Sequence, residues 1–228
     1  MPVYRYLHLI RNETMNKHLP DFLQEWDAYN NVAHKKIPLF LPSALTKIQQ
    51  QYFARLLYHA RGHFSEFLWV LGSLASTPED KKLILQNIGE EFGGSQPSHE
   101  MLYFRFAESL GVNLRLEPVR EHYYEQFLQK YNKDHVSFLI DRATNGDWDT
   151  CMAAFSAYER LDNLDYPDLL RLVTTFDIPD PALEFFRVHC EVQHFAMVST
   201  GLEALWNRQP DAVQHGYDFI ANHQIKMW

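Results

Sequence analysis

Cysteine is nearly missing: Cys151 and Cys190 are the two in a chain of 228 residues. That excludes a disulfide framework and fits a reducing cytoplasm. Glycine is scarce, at nine residues, and the eleven prolines fall mostly between periodic segments. Both features favour helices over turn-rich strands. No apolar run reaches the roughly 18 residues a membrane-spanning helix needs. Basic residues occur in nothing longer than pairs, Lys35-Lys36 and Lys81-Lys82, and the formal net charge is −8. The basic footprint that nucleic-acid binding requires is therefore lacking. The opening stretch MPVYRYLHLIRNET carries charge within a short apolar segment and no cleavage-site pattern, so no signal peptide is expected.

What is present is material for a core. Apolar residues make up 46% of the chain, with 16 Phe and 12 Tyr, enough to fill one domain over residues 1–228, with residues 1–19 peripheral. Helical periodicity recurs almost throughout. The pattern predicts helices at about 20–33, 43–74 (capped by Ser43), 78–92, 99–110, 117–131, 134–144, 148–162, 167–175, 181–206 and 210–225. Thr77-Pro78 with Asp80 resembles a capping box, Gly93 and Gly94 supply a helix stop, and Ser98 a further cap. The expected architecture is a single-domain all-α bundle of about seven to nine helices.

The segment LQNIGEEFGGSQPSHEML, residues 85–102, joins two of these helices. Glu91 stands three residues after Ile88 and seven after Ile84, on the apolar stripe, whereas Glu90 is rotated about 100° toward solvent. His99 shares a stripe with Leu102 and Phe106. Two adjoining helix ends thus aim a carboxylate and an imidazole inward. The same periodicity places Glu159 with Met152 and Phe155. It also lines up Leu183, Arg187, Glu191, His194 and Val198. Glu191 and His194 form an E-x-x-H pair, the i, i+3 spacing that projects two ligands into a bundle core. Buried carboxylates need positive compensation. A metal supplies it, and carboxylates with imidazoles suit iron or manganese; a salt-bridged or surface placement is the alternative for each residue taken singly.

These residues resemble a family signature. NIGEEFGGSQPSHEMLYFRFAESLG, Asn87 to Gly111, is similar to the N-L-x-E-E-x-G…N-H-x-E-L-W-x-x-F-A-x-x-L-G pattern of the haem-oxygenase-like diiron proteins. That group includes the iron-containing redox enzymes, terminal-alkene-forming fatty-acid decarboxylases and CADD-like proteins, with TenA-like relatives. AAFSAYERL resembles their central ligand helix, and FFRVHCEVQHFAM their H-x-x-x-[DE]-x-x-H helix. The resemblance extends over about residues 43–206. It implies a haem-oxygenase-like bundle with metal ligands Glu91, His99, Glu159, Glu191 and His194. It also implies one or two irons (or manganese), and oxidation of a small organic substrate with O2. Two departures stand out. The loop from Glu91 to His99 is one residue longer than the pattern, and Arg187 occupies the place of an expected histidine. A guanidinium cannot ligate iron. Arg187 is expected to pair with Glu191 or Glu91, weakening one half of the site. The alternative function is a catalytically silent binding bundle whose degenerate site is closed by Arg187. His189 lies about 200° around the helix from Glu191 and would reach the site only through a local bulge.

Other features are secondary. His59, Arg61 and His63 share a segment, and Arg61 is a candidate contact for a substrate carboxylate. Tyr158, beside Glu159, is a candidate redox neighbour. His99-Glu100 is no zinc-protease motif, because Tyr103 stands where the second histidine belongs. The flanks of His18 and His34 do not match a proximal haem ligand, and the cysteine nucleophile of the thiamine-degrading relatives has no counterpart here. Cys151 and Cys190 read as small core residues. A homodimer is compatible with this reading.

Overall fold

The computed structural model describes residues 17–37, 44–93, 97–115, 125–191 and 194–227, and gives the backbone alone at 59–63, 125–133, 194–198, 200 and 227. Among these residues there is helix and no strand. The helices are α1 (Leu19–His34), α2 (Lys47–Leu74), α3 (Pro78–Glu91), α4 (His99–Ser109), α5 (Glu125–Thr144) and α6 (Trp148–Val173). A 3₁₀ turn, Asp180–Leu183, leads into α7 (Glu184–Glu191), followed by α8 (His194–Arg208) and α9 (Pro210–Met227).

Local chemistry sets most ends. Thr77 Oγ1 accepts from the Asp80 amide at 3.1 Å and donates to Asp80 Oδ2 at 2.6 Å. Trp148 Nε1 donates to the same oxygen at 2.9 Å, tying the start of α6 to that of α3. Ser98 caps α4 through the Met101 amide. Gly93 ends α3 at φ +92°, a conformation that only glycine enters freely.

Several expected boundaries are corrected. Thr46, not Ser43, caps α2, in a reciprocal box with Gln49; Ser43, like Gly94, lies outside the described residues. Residues 125–144 form one helix rather than two, since nothing between 131 and 134 is a Gly or Pro breaker. Residues 148–173 also form one helix, with Pro167 inside it. A proline interferes with the carbonyl four residues before it. Here that residue, Asn163, and Pro167 are both exposed, so water can satisfy the freed carbonyl. The segment after Asp180 begins as 3₁₀ and α-helix follows only from Glu184.

Helix α6 is the axis. Residues 153 to 159 are all buried, so it is covered on every side. Its first half belongs to one apolar cluster with α1, the end of α2, α3, α8 and α9. From Tyr166 onward it belongs to a second, with the start of α2, α4 and α7. The buried carboxyls of α6, namely Glu159, Asp162 and Asp165, fall at the junction of the two clusters. Helix α9 lies close along α6: a Cβ on Gly216 would stand 2.6 Å from the Ala154 amide nitrogen. Tyr217 fixes this contact by a 3.1 Å hydrogen bond between its hydroxyl and Ser156 Oγ.

Candidate metal centre

Helix α3 ends at Glu91 and α4 begins at His99, and the two side chains meet. His99 Nδ1 lies 3.1 Å from Glu91 Oε1. Both are part-buried, at 13% and 17% side-chain exposure. The third member comes from α7. His189 is buried, and its ring centroid lies 4.3 Å from that of His99. One ligand atom from each of Glu91, His99 and His189 can be chosen so that all lie within 4.8 Å of one another. A carboxylate and two imidazoles that close form a metal-compatible donor set.

The tautomer of His189 suits that role. Its Nδ1 is 2.7 Å from the Phe185 carbonyl oxygen. A carbonyl only accepts, so Nδ1 carries the proton and, in the neutral ring, Nε2 keeps its lone pair. Tyr166 stacks on the ring, centroid to centroid 4.1 Å at 19°. Phe185 packs at 4.5 Å.

Carboxyl charge converges on this place. Glu159 is 1% exposed. Burial first, then repulsion from Asp162, Glu91 and Glu90, pushes its pKa well above the usual carboxyl value. Burial pulls His99 down, but its hydrogen bond to Glu91 and the charges of Glu91, Glu90 and Asp162 outweigh this and leave its pKa raised. Glu90 itself is exposed, as its helical phase predicts, yet both groups feel its charge. Asp162 was not among the sequence candidates. It stands three residues after Glu159, so the i, i+3 rule applied along α6 would have found it.

The remaining candidates are placed as follows. Glu191, the last residue of α7, is exposed and stands outside the cluster. The side chains of His194, His59, Arg61 and His63 lie outside the described residues. Tyr158 is buried against Phe64, Phe67 and His135, while Tyr166 is the tyrosine that touches the cluster. His34 is buried with Nε2 2.9 Å from Asp165 Oδ1, and His18 is exposed. Cys151 is buried, and desolvation pushes its thiol up to about 12. Cys190 is exposed, which corrects its reading as a core residue.

Arg187 is the principal correction. It pairs with neither Glu191 nor Glu91. Its Nη1 donates to Asp180 Oδ2 at 2.9 Å and its Nη2 to Asp180 Oδ1, on the exposed side of the helix. Two residues on, and so about 200° around, His189 faces inward. The buried stripe is Phe185, Phe186 and His189, not the one through Leu183 and Arg187. Leu183 is buried too, but the apolar face of this helix is centred on Phe185 and Phe186, so a stripe drawn from Leu183 alone to Arg187 misplaces it.

Compared with models of protein families, residues 51–217 match the one described as iron-containing redox enzyme. No curated protein matches the chain.

Proposed function

The chain belongs to the iron-containing redox enzyme family, and from that premise we propose that it is a non-haem iron oxidase or oxygenase whose metal is held by Glu91, His99 and His189. The observation that carries the reading is the mutual approach of these three groups within 4.8 Å. Two histidines and one carboxylate are the facial triad of mononuclear iron(II) oxygenases, which leaves coordination positions open. Iron in that setting supplies the reduction of O2 coupled to oxidation of a small organic substrate.

The chain's own residues do the rest. Phe185, through its carbonyl, keeps the His189 proton on Nδ1 and the ring turned toward Glu91. Burial and the neighbouring carboxylates favour the protonated form of the Glu159 carboxyl, and a bound cation would favour its ionised form. Tyr166, Phe185 and Tyr103 form an aromatic wall that limits water on the His189 side. Manganese would suit the same donors. A second metal would call on Glu159 with Asp162, or on Glu191 and His194. The silent-bundle alternative requires Arg187 inside the site, and Arg187 is engaged with Asp180 outside it.

The test is anaerobic iron(II) loading of the metal-free protein, with iron counted per chain. One iron per chain, lost in His189→Ala, is expected. Full iron retention in His189→Ala would show that the ligand set is wrong, and two irons per chain would show that the site is dinuclear.

A further inference from the structure

The aromatic residues around His189 do not stop at the wall of the site. Phe185 touches His189 at 4.5 Å and Tyr166 at 5.8 Å, and on its other side meets Tyr103 edge to face at 4.8 Å. Tyr103 in turn lies 5.9 Å from Tyr58, centroid to centroid. Tyr58 is half-buried, and its hydroxyl donates to the exposed carboxylate of Glu100 at 3.0 Å. An unbroken series of ring contacts therefore runs from the candidate iron ligand to a surface phenol on α2.

We propose that Tyr166, Phe185, Tyr103 and Tyr58 form an electron relay that carries an oxidising equivalent from the iron site to the protein surface. The inference rests on the iron reading above. Its use is protective. When an oxidant such as hydrogen peroxide over-oxidises the site without substrate, the hole leaves along the chain before it attacks the ligands.

The chemistry assigns each residue a part. Tyrosine is the most easily oxidised of these side chains next to the site, and Tyr166, stacked on His189, takes the first position. Phenylalanine is not oxidised at such potentials, so Phe185 serves as a bridge between Tyr166 and Tyr103. Tyr103 is fully buried, and its hydroxyl donates to the Ala54 carbonyl at 2.8 Å. An amide carbonyl is too weak a base to take a phenolic proton, so oxidation there stays transient. Tyr58 differs, because a carboxylate stands ready. In the final step one electron passes from Tyr58 toward the site, which is reduced by one equivalent. The Tyr58 O–H bond breaks, the proton bonds to a Glu100 carboxyl oxygen, and a neutral phenoxyl radical remains. A small external reductant, a thiol or ascorbate, then gives one electron and loses its proton to solvent, while the proton on Glu100 returns to the Tyr58 oxygen and restores the phenol.

The experiment uses iron-loaded full-length protein mixed with hydrogen peroxide and frozen within its first turnovers. Electron paramagnetic resonance, with and without ring-deuterated tyrosine, reports the radical; peptide mass spectrometry reports oxidation at His99, His189 and Phe185. The expected result is a tyrosyl signal that ascorbate quenches and that Tyr58→Phe removes, with oxidation of the site residues rising several-fold. Tyr103→Phe should interrupt the chain in the same way. Tyr52→Phe, an exposed phenol on the same helix, should change neither readout. Phenylalanine keeps the ring packing, so folding and iron content should match the parent in each variant. If iron loads normally but Tyr58→Phe leaves the radical and the damage unchanged, the relay is wrong while the metal site stands. If the parent binds no iron, both fail together.

Discussion

Arg187 grips Asp180 on the outer side of the helix whose inner side carries His189. The guanidinium therefore spends its charge away from Glu91 and His99. We predict that Arg187→His leaves the iron stoichiometry of the parent unchanged under anaerobic loading, whereas His189→Ala reduces it to background. A rise in iron per chain on Arg187→His would mean that the arginine does reach the site.

Glu159 gives a pH signature in the metal-free protein. Its folded pKa lies above its unfolded value, chiefly because of burial. A group of that kind adds stability below its unfolded pKa and loses it as pH rises through the folded one. His99 is raised as well and acts with the same sign. Stability of the metal-free protein should thus fall as pH rises from the ordinary carboxyl range through the histidine range. Glu159→Gln should flatten that slope, since an amide carries no charge to bury. Melting temperatures of the two proteins across this range provide the check, and parallel curves would refute the idea.

Metal should stabilise the fold by mass action. For a ligand that binds only the native state, an excess of about 100 times Kd adds about 2.7 kcal/mol. We expect iron(II) to raise the melting temperature of the parent and a chelator to reverse it. His99→Ala should show no such shift. An equal shift in His99→Ala would move the binding site elsewhere.

Gly216 sits where α9 meets α6 most closely, with the Ala154 nitrogen 2.6 Å from where a Cβ would stand. Backbone cannot yield there as a side-chain tip can. Gly216→Ala is expected to destabilise by about 1–3 kcal/mol, the usual cost of overpacking, although alanine favours helix over glycine. Chemical denaturation measures this. A neutral or stabilising result would show that the two helices separate readily.

Where a side chain's role depended on neighbours in sequence, the sequence was enough. Thr77-Pro78-Asp80, Ser98 and Gly93 mark helix ends because caps and positive φ are satisfied within a few residues. The inward aim of Glu91 and His99 follows from a helical phase set by Ile84, Ile88, Leu102 and Phe106 on uninterrupted turns. Tertiary packing decided the rest. Pro167 does not end α6: Asn163, whose carbonyl it disturbs, is exposed, while Tyr166 and Leu169 on either side are buried in the second cluster. In α7 Phe185 and Phe186 are buried, and His189 shares their face, so His189 and not Arg187 turns inward. The i, i+1, i+4 spacing of Phe185, Phe186 and His189 marks that face within α7, and the packing of both phenylalanines on α4, and of Phe185 on α6, carries it to the site. Helix ends and local faces are properties of a short segment and its own hydrogen bonds. Which imidazole joins Glu91 and His99 depends on how three distant segments pack, and only burial across them settles it.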